Sequence, residues 1–148
     1  MNAATSWIGR AGLGALTAAA LAGCGSSALS PAQIRSRATN ICTATARRTG
    51  KIATPTSPND AVPFLNRGIT AIDREVAALR AMHATGAAKT AVDGTAAELA
   101  ALRFTLKSLQ AENDPVVAIK TLQVRLGPIE QRTNAAWRSL DVPACVTA

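Results

Sequence analysis

The 148-residue chain is poor in aromatic side chains, which make up 3% of it, and it contains no tyrosine. Runs of β-branched or aromatic residues that alternate with polar ones are also missing, which argues against a β-sheet. Histidine occurs once and cysteine three times. So few imidazole and thiol groups provide no spaced set of zinc ligands, and no Gly-x-Ser-x-Gly, P-loop or dinucleotide fingerprint occurs. We therefore expect no enzyme, no metal site and no bound cofactor.

The two features closest to a catalytic or metal site have simpler explanations. His83 falls near the end of a predicted helix, where a lone histidine is more often a bundle-end residue than a ligand. Asp73 and Glu75 are two residues apart, so on a helix they lie on different faces and form no carboxylate pair. We assign no catalytic residues.

The N-terminus has the pattern of an export signal. An uncharged run, mostly of small apolar residues, extends from Ala11 to Ala22 and follows Arg10, the one charged side chain before it. A membrane-spanning helix needs about 20 apolar residues, so this shorter run indicates a cleaved secretory signal instead. It ends in Leu-Ala-Gly-Cys at residues 21–24, which resembles the lipobox of bacterial lipoprotein precursors.

This resemblance implies that residues 1–23 are a signal peptide that is removed. Cys24 then becomes the first residue of the mature chain and carries a covalent diacylglycerol lipid. The alternative is an ordinary signal, or a retained apolar helix, that happens to contain a cysteine. Each buried CH₂ contributes about 0.8 kcal/mol, and two acyl chains hold a protein where one does not. We expect a lipid-anchored protein on the outer side of the cell membrane, with residues 24–30 as a Gly-Ser linker.

The other two cysteines, Cys42 and Cys145, are predicted to form a structural disulfide. Outside the cytosol an even pair of thiols usually becomes oxidised. In the chain-entropy model, closing a loop of about 100 residues stabilises a fold by up to ~4.7 kcal/mol. A redox or metal-binding pair is the alternative, but neither a Cys-x-x-Cys motif nor nearby histidines support it.

Proline and glycine divide residues 31–148 into four amphipathic segments rich in alanine, the best helix former. They predict helices at about 31–52, 61–84, 87–112 and 115–139. Capping residues support three of the starts: a Ser30–Gln33 capping box, Asp60, and Asp114 before a proline. The third helix starts near Ala87 or at Thr95, and we favour one continuous helix.

The short connections between these segments predict an all-α, four-helix up-down bundle. Pro128 lies inside the fourth segment and cannot bond back to Val124, so we expect a kink there. The non-helical C-terminal tail has to fold back on the first helix if the two cysteines are to meet.

Four features together resemble small helical lipoproteins of high-GC, actinobacterial-type bacteria. These features are the lipobox, the Ile41-Cys42 pair, the threonine- and proline-rich connector at residues 54–58, and the Pro-Ala-Cys tail at residues 143–145. The resemblance implies an anchored helical domain and brings no catalytic residues with it.

Basic residues without acidic neighbours mark the first helix. On a helical wheel four of them fall within a sector of roughly 100°: Arg37, Arg47, Arg48 and Lys51. We hypothesise that this stripe contacts anionic headgroups or envelope polyanions, at ~1 kcal/mol per charge near the surface. The alternative is an ordinary solvated surface with charges that suit a helix C-terminus. The compartment and the lack of interleaved aromatics exclude nucleic acid as a partner.

Two functions fit these observations. The first, which we favour from the sequence, is a non-enzymatic envelope protein that docks another envelope protein or steadies a surface assembly. The second is a carrier that holds a small apolar molecule or lipid between its helices. Docking requires an exposed apolar patch, whereas a carrier requires a pocket of several hundred Å³ lined by Leu, Ile and Phe.

Overall fold

A computed structural model of the chain describes residues 28–147, in which it shows four α-helices and no strand. The helices are α1 (Pro31–Thr49), α2 (Ala61–Arg80), α3 (Gly86–Leu109) and α4 (Pro115–Ser139). Single turns of 3₁₀-helix precede α2 (Pro58–Asp60) and follow α4 (Pro143–Cys145). The all-α prediction is confirmed. The predicted signal peptide and Cys24 lie outside the described residues.

The four helices run alternately up and down. Ile34 near the start of α1 belongs to the same buried cluster as Leu79 at the end of α2. Val92 near the start of α3 and Trp137 near the end of α4 belong to it as well. The starts of α1 and α3 and the ends of α2 and α4 therefore lie at the same end of the bundle, as the sequence predicted.

The core consists of two clusters of buried side chains, one toward each end of the bundle. The tail-end cluster receives side chains from all four helices, from the turn after α2 and from the C-terminal tail, and consists of Ile34, Ala38, Cys42, Leu79, Met82, Val92, Ala96, Trp137 and Val142. The connector-end cluster is built by α2, α3 and α4 alone, from Leu65, Ile69, Ile72, Val76, Leu102, Leu106, Leu122 and Ile129. Hence α1 supports only half of the core, and it packs mainly on α2 and the C-terminal turn.

Two of the three predicted caps are confirmed. The Ser30 hydroxyl accepts from the Gln33 backbone N–H at 3.3 Å, and Gln33 Oε1 accepts from the Ser30 N–H at 2.8 Å. Asp114 accepts from the Val116 N–H at 2.8 Å and so caps α4. Asp60 does not cap α2. Its carboxylate points back into the connector and accepts from the Ser57 N–H at 2.9 Å.

The predicted helix ends ran too far at three helices, because apolar spacing continues into the turns that follow. α1 ends at Thr49, α2 at Arg80 and α3 at Leu109. His83 was predicted inside the second helix, near its end, but it is exposed in the turn after α2, with a left-handed φ of 48°.

Two predictions about helix interiors have different outcomes. The third helix is continuous from Gly86, so Thr95 lies inside it and caps nothing. The fourth helix has its predicted bounds and remains helical through Pro128. The kink expected at that proline stays a prediction.

The predicted disulfide is present and ties the C-terminal tail to α1. Cys42 and Cys145 are 103 residues apart in sequence, and their Cα atoms are 5.1 Å apart. Asn134 of α4 holds the end of the tail from the other side. Its side-chain oxygen accepts from the Thr147 N–H at 2.9 Å, and its amide donates to the Thr147 carbonyl at 3.1 Å.

A substitution at Gly94 tests whether α3 is continuous. It lies inside the helix, and no described atom is within 4 Å of the place where a Cβ would sit. Alanine is favoured over glycine there by about 1 kcal/mol. We expect Gly94→Ala to raise the free energy of unfolding by about 1 kcal/mol in urea titrations.

Gly86→Ala is the matched control for this change. Its site is equally open, but Gly86 has φ +56°, where a side chain costs about 1–2 kcal/mol. This variant should therefore lose stability. Equal changes in the free energy of unfolding of the two variants would contradict a continuous α3 that begins at Gly86.

Candidate functional site

A cavity of about 560 Å³ separates the C-terminal half of α1 from the other three helices. It reaches the surface beside Ala46 and Thr49, which are exposed. Its walls are mostly large apolar side chains of α2, α3 and α4, namely Phe64, Leu65, Ile72, Leu99, Leu102, Leu106, Leu122, Leu126 and Ile129. Because protein interiors are close-packed, a space of this size needs a specific cause.

The cause lies in the side chains that α1 turns inward. Up to Cys42 these side chains are buried in the tail-end cluster. Beyond it the cavity wall on α1 is formed by Thr45, Ala46 and Thr49, whose short side chains leave the space opposite the large residues of α3 and α4 unfilled. Gly68 leaves further space on α2. The cavity is thus a direct result of small residues opposite large ones.

A ring of polar side chains, which we call the polar belt, lines the cavity where the two clusters meet. Each helix contributes one residue, and the belt consists of Thr45, Glu75, Thr95 and Thr133. Every member is within about one helical turn of a tail-end cluster residue on its own helix. The four side chains therefore lie at a similar height in the bundle.

Glu75 is the acidic member of the belt, and it is half-buried. Burial is the largest influence on its pKa and raises it. The charge of Arg48 and the Thr45 hydroxyl act in the opposite direction but do not cancel this effect. The Glu75 carboxyl therefore binds a proton more readily than an exposed glutamate does.

Arg48 of α1 contacts a member of the polar belt. Its Nη2 donates to the Thr45 hydroxyl at 3.2 Å, and its buried Nε has no hydrogen-bond partner among residues 28–147. Arg48 is half-buried, whereas Arg37, Arg47 and Lys51 are exposed. Of the four residues in the hypothesised basic stripe, one is thus engaged with the interior, and the other three face solvent.

Thr95 is the member of the belt whose buried hydroxyl has no hydrogen-bond partner among the described residues. The residue is 2% exposed, and its Oγ1 has no partner within the described part of the chain. An unsatisfied buried hydroxyl costs about 1–3 kcal/mol. Thr133 differs, because its hydroxyl donates to the Ile129 carbonyl at 3.1 Å. A cavity-lining residue, Thr95, therefore carries a buried hydroxyl that lacks a partner among the described residues.

The cavity and its polar belt were not predicted from the sequence. In the sequence, Glu75 was considered only as a partner of Asp73 in a carboxylate pair. It lies three residues after Ile72 and four before Leu79, and this helical spacing was the signal that its carboxylate is on the apolar face of α2. Cys42 and Cys145 were predicted as a pair, and the structure adds that both line the cavity.

Three further findings concern the whole described region. No three His, Cys, Asp or Glu residues among residues 28–147 are close enough to hold a metal ion. None of the helices in that region combines the length and the apolar character that crossing a membrane requires. Comparisons with protein-family models, with curated proteins and with solved structures found no match.

The raised pKa of Glu75 leads to a test. The folded protein holds this proton to a higher pH than the unfolded chain does, so the ionised carboxylate disfavours folding above the folded pKa. We expect Glu75→Gln to raise the free energy of unfolding at neutral pH. This advantage should shrink as the pH falls through the folded pKa toward about 4, where the unfolded carboxyl is also protonated.

Urea unfolding of both proteins across this pH range measures the effect. A loss of stability at neutral pH in the Gln variant would contradict the expectation. It would mean that attraction between the Glu75 carboxylate and Arg48 outweighs the cost of burial.

Proposed function

We propose that the protein is a lipid-anchored binding protein that holds a small apolar molecule between its helices at the outer face of the cell membrane. The observation that carries this proposal is the cavity of about 560 Å³ between α1 and the other helices. Its volume falls in the range of about 300–1,000 Å³ that is typical of ligand pockets. Its Leu, Ile and Phe walls with a few polar groups also match such pockets.

The docking function has weaker support. It requires a contiguous apolar patch, and the most exposed large apolar side chains of the described region are Phe104 and Val124, at 74% and 75%. Exposed apolar side chains are common on protein surfaces and do not by themselves mark an interface. The cavity is the more specific feature, so we favour the carrier.

The proposed lipid anchor suits a carrier of apolar molecules. From Cys24 to Pro31, the first residue of α1, the extended chain reaches at most ~25 Å. A lipidated Cys24 therefore keeps the start of α1, and with it the helical domain, close to the bilayer, which is the main store of apolar molecules in a cell envelope.

The packing of α1 also suits exchange of a ligand. α1 packs mainly on α2 and on the C-terminal turn, and it has little contact with α4. The cavity wall on that side is formed by Thr45 and Thr49 of α1 and by Leu126 and Glu130 of α4. Because α1 contributes no side chain to the connector-end cluster, a movement of its C-terminal half would open this side without disturbing the packing of α2, α3 and α4 there.

Filling the cavity tests the binding function. Leu126 is half-buried and lines the cavity, so we expect Leu126→Trp to lower the affinity for the uncharged dye Nile red by tenfold or more. Dye fluorescence in titrations gives the affinity, and circular dichroism checks the fold. Native mass spectrometry of protein from its own cells should show a bound small molecule that the variant lacks.

Val124→Trp is the matched control. Val124 is on the same helix but points to solvent, so this variant should bind the dye like the unchanged protein. Equal binding by both variants, or no dye binding by the unchanged protein, would overturn the carrier proposal.

Replacing the proposed lipid attachment site tests the anchor separately. In Triton X-114 phase separation of cell extracts, the unchanged protein should enter the detergent phase because of its acyl chains. Cys24→Ser should move it to the aqueous phase, with the loss of the lipid mass in intact-mass analysis. An unmodified Cys24 thiol in protein from its own cells would refute lipidation but leave the cavity argument intact.

A further inference from the structure

The polar belt lies at one level of the cavity and a long apolar stretch follows it toward the connector end, which restricts the shape of the ligand. The polar belt lies toward the disulfide, whereas Phe64, Leu65 and Leu106 line the other end. From Glu75 to Leu65 along α2 is 10 residues, or ~15 Å at the rise of an α-helix. From Thr95 to Leu106 along α3 is 11 residues, or ~16 Å. The site is therefore long and suits an apolar chain that lies along the bundle axis.

The charges on the wall restrict the head of such a molecule. Two acidic residues, Glu75 and Glu130, line the cavity, and none of its described lining residues is basic. An anionic head would be placed among carboxylates away from bulk water, where like charges repel strongly. The wall therefore disfavours a fatty acid or a phosphate-bearing lipid.

The Glu75 carboxyl already has a cationic neighbour, Arg48. The charge of Arg48 lowers the pKa of Glu75, against the larger effect of burial. An ammonium head would have to share the same carboxylate with this guanidinium. A cationic ligand thus gains less from Glu75 than the presence of a buried carboxyl alone suggests.

The free hydroxyl of Thr95 completes the argument. Its Oγ1 is buried and unpartnered among the described residues. A hydroxyl head has one donor and two acceptor lone pairs, so it can accept from Thr95 and donate to the Glu75 carboxylate. We propose that the ligand is a chain-shaped apolar molecule with an uncharged hydroxyl head, which is held at the polar belt by Thr95 and Glu75. This inference rests on the proposed carrier function.

Three probes with the same chain and different heads test the assignment. Decanol, decanoate and decylamine are each used to displace Nile red from the purified protein at about pH 8, where the decanoate carboxyl is ionised. We expect decanol to displace the dye at a concentration at least tenfold lower than decanoate requires, with decylamine between them. Glu75→Gln should reduce the difference between the concentrations of decanol and decanoate that displace the dye, because it removes a negative charge from the cavity wall.

Thr95→Val tests the hydrogen bond to the head, and Thr105→Val is its control. The first variant removes the unpartnered hydroxyl and should weaken decanol binding about fivefold, the effect of one net hydrogen bond of ~1 kcal/mol, while leaving the binding of decane unchanged. Thr105 is on the same helix but is not among the cavity-lining residues, and its hydroxyl is already bonded to the Ala101 carbonyl at 3.2 Å, so the second variant should leave decanol binding unchanged.

The outcomes separate this inference from the carrier function. Decanoate or decylamine binding as tightly as decanol, or tighter, would overturn the hydroxyl head while the carrier function stands. Equal effects of the two threonine variants on decanol would remove Thr95 from the head site. Failure of the dye and of every probe to bind would overturn the carrier function itself.

Discussion

The disulfide between Cys42 and Cys145 is the link on which the arrangement of α1 depends. The three helices that follow pack on one another along their lengths, whereas α1 places buried side chains in only one of the two core clusters. The bond fixes the tail against the middle of α1, and Asn134 fixes the end of the same tail to α4. Through the tail, α1 is held to both sides of the bundle although it makes little direct contact with α4.

This attachment explains how the protein tolerates an incompletely filled interior. The sequence contains few of the bulky aromatic residues that fill cores, and alanine, threonine and glycine occupy many inward positions. Helices with such small side chains bury little apolar area, and the hydrophobic contribution scales with that area. A cross-link that closes a loop of about 100 residues restricts the unfolded chain by up to ~4.7 kcal/mol in the chain-entropy model. It offsets the contacts that α1 lacks beyond Cys42.

Local signals predicted most of the fold. The capping box at Ser30 and the cap at Asp114 identified two helix starts, because these side chains bond within their own turn. The helix ends were harder to predict. The second predicted helix ran past His83 to residue 84, whereas α2 ends at Arg80. The disulfide was predictable because the lipobox resemblance assigns Cys24 to lipidation, which leaves Cys42 and Cys145 as one pair, and the predicted export favours their oxidation. The cavity was not, since it depends on which side chains from four distant segments face one another.

Both sulfur-bearing residues of the cross-link form part of the cavity wall. A molecule that occupies the cavity therefore covers the bond from that side and limits the approach of an attacking thiolate, which must reach one sulfur directly. Occupied and empty protein should then differ in how fast a small reductant opens the bond. The ligand would in this way preserve the cross-link that keeps its own site assembled.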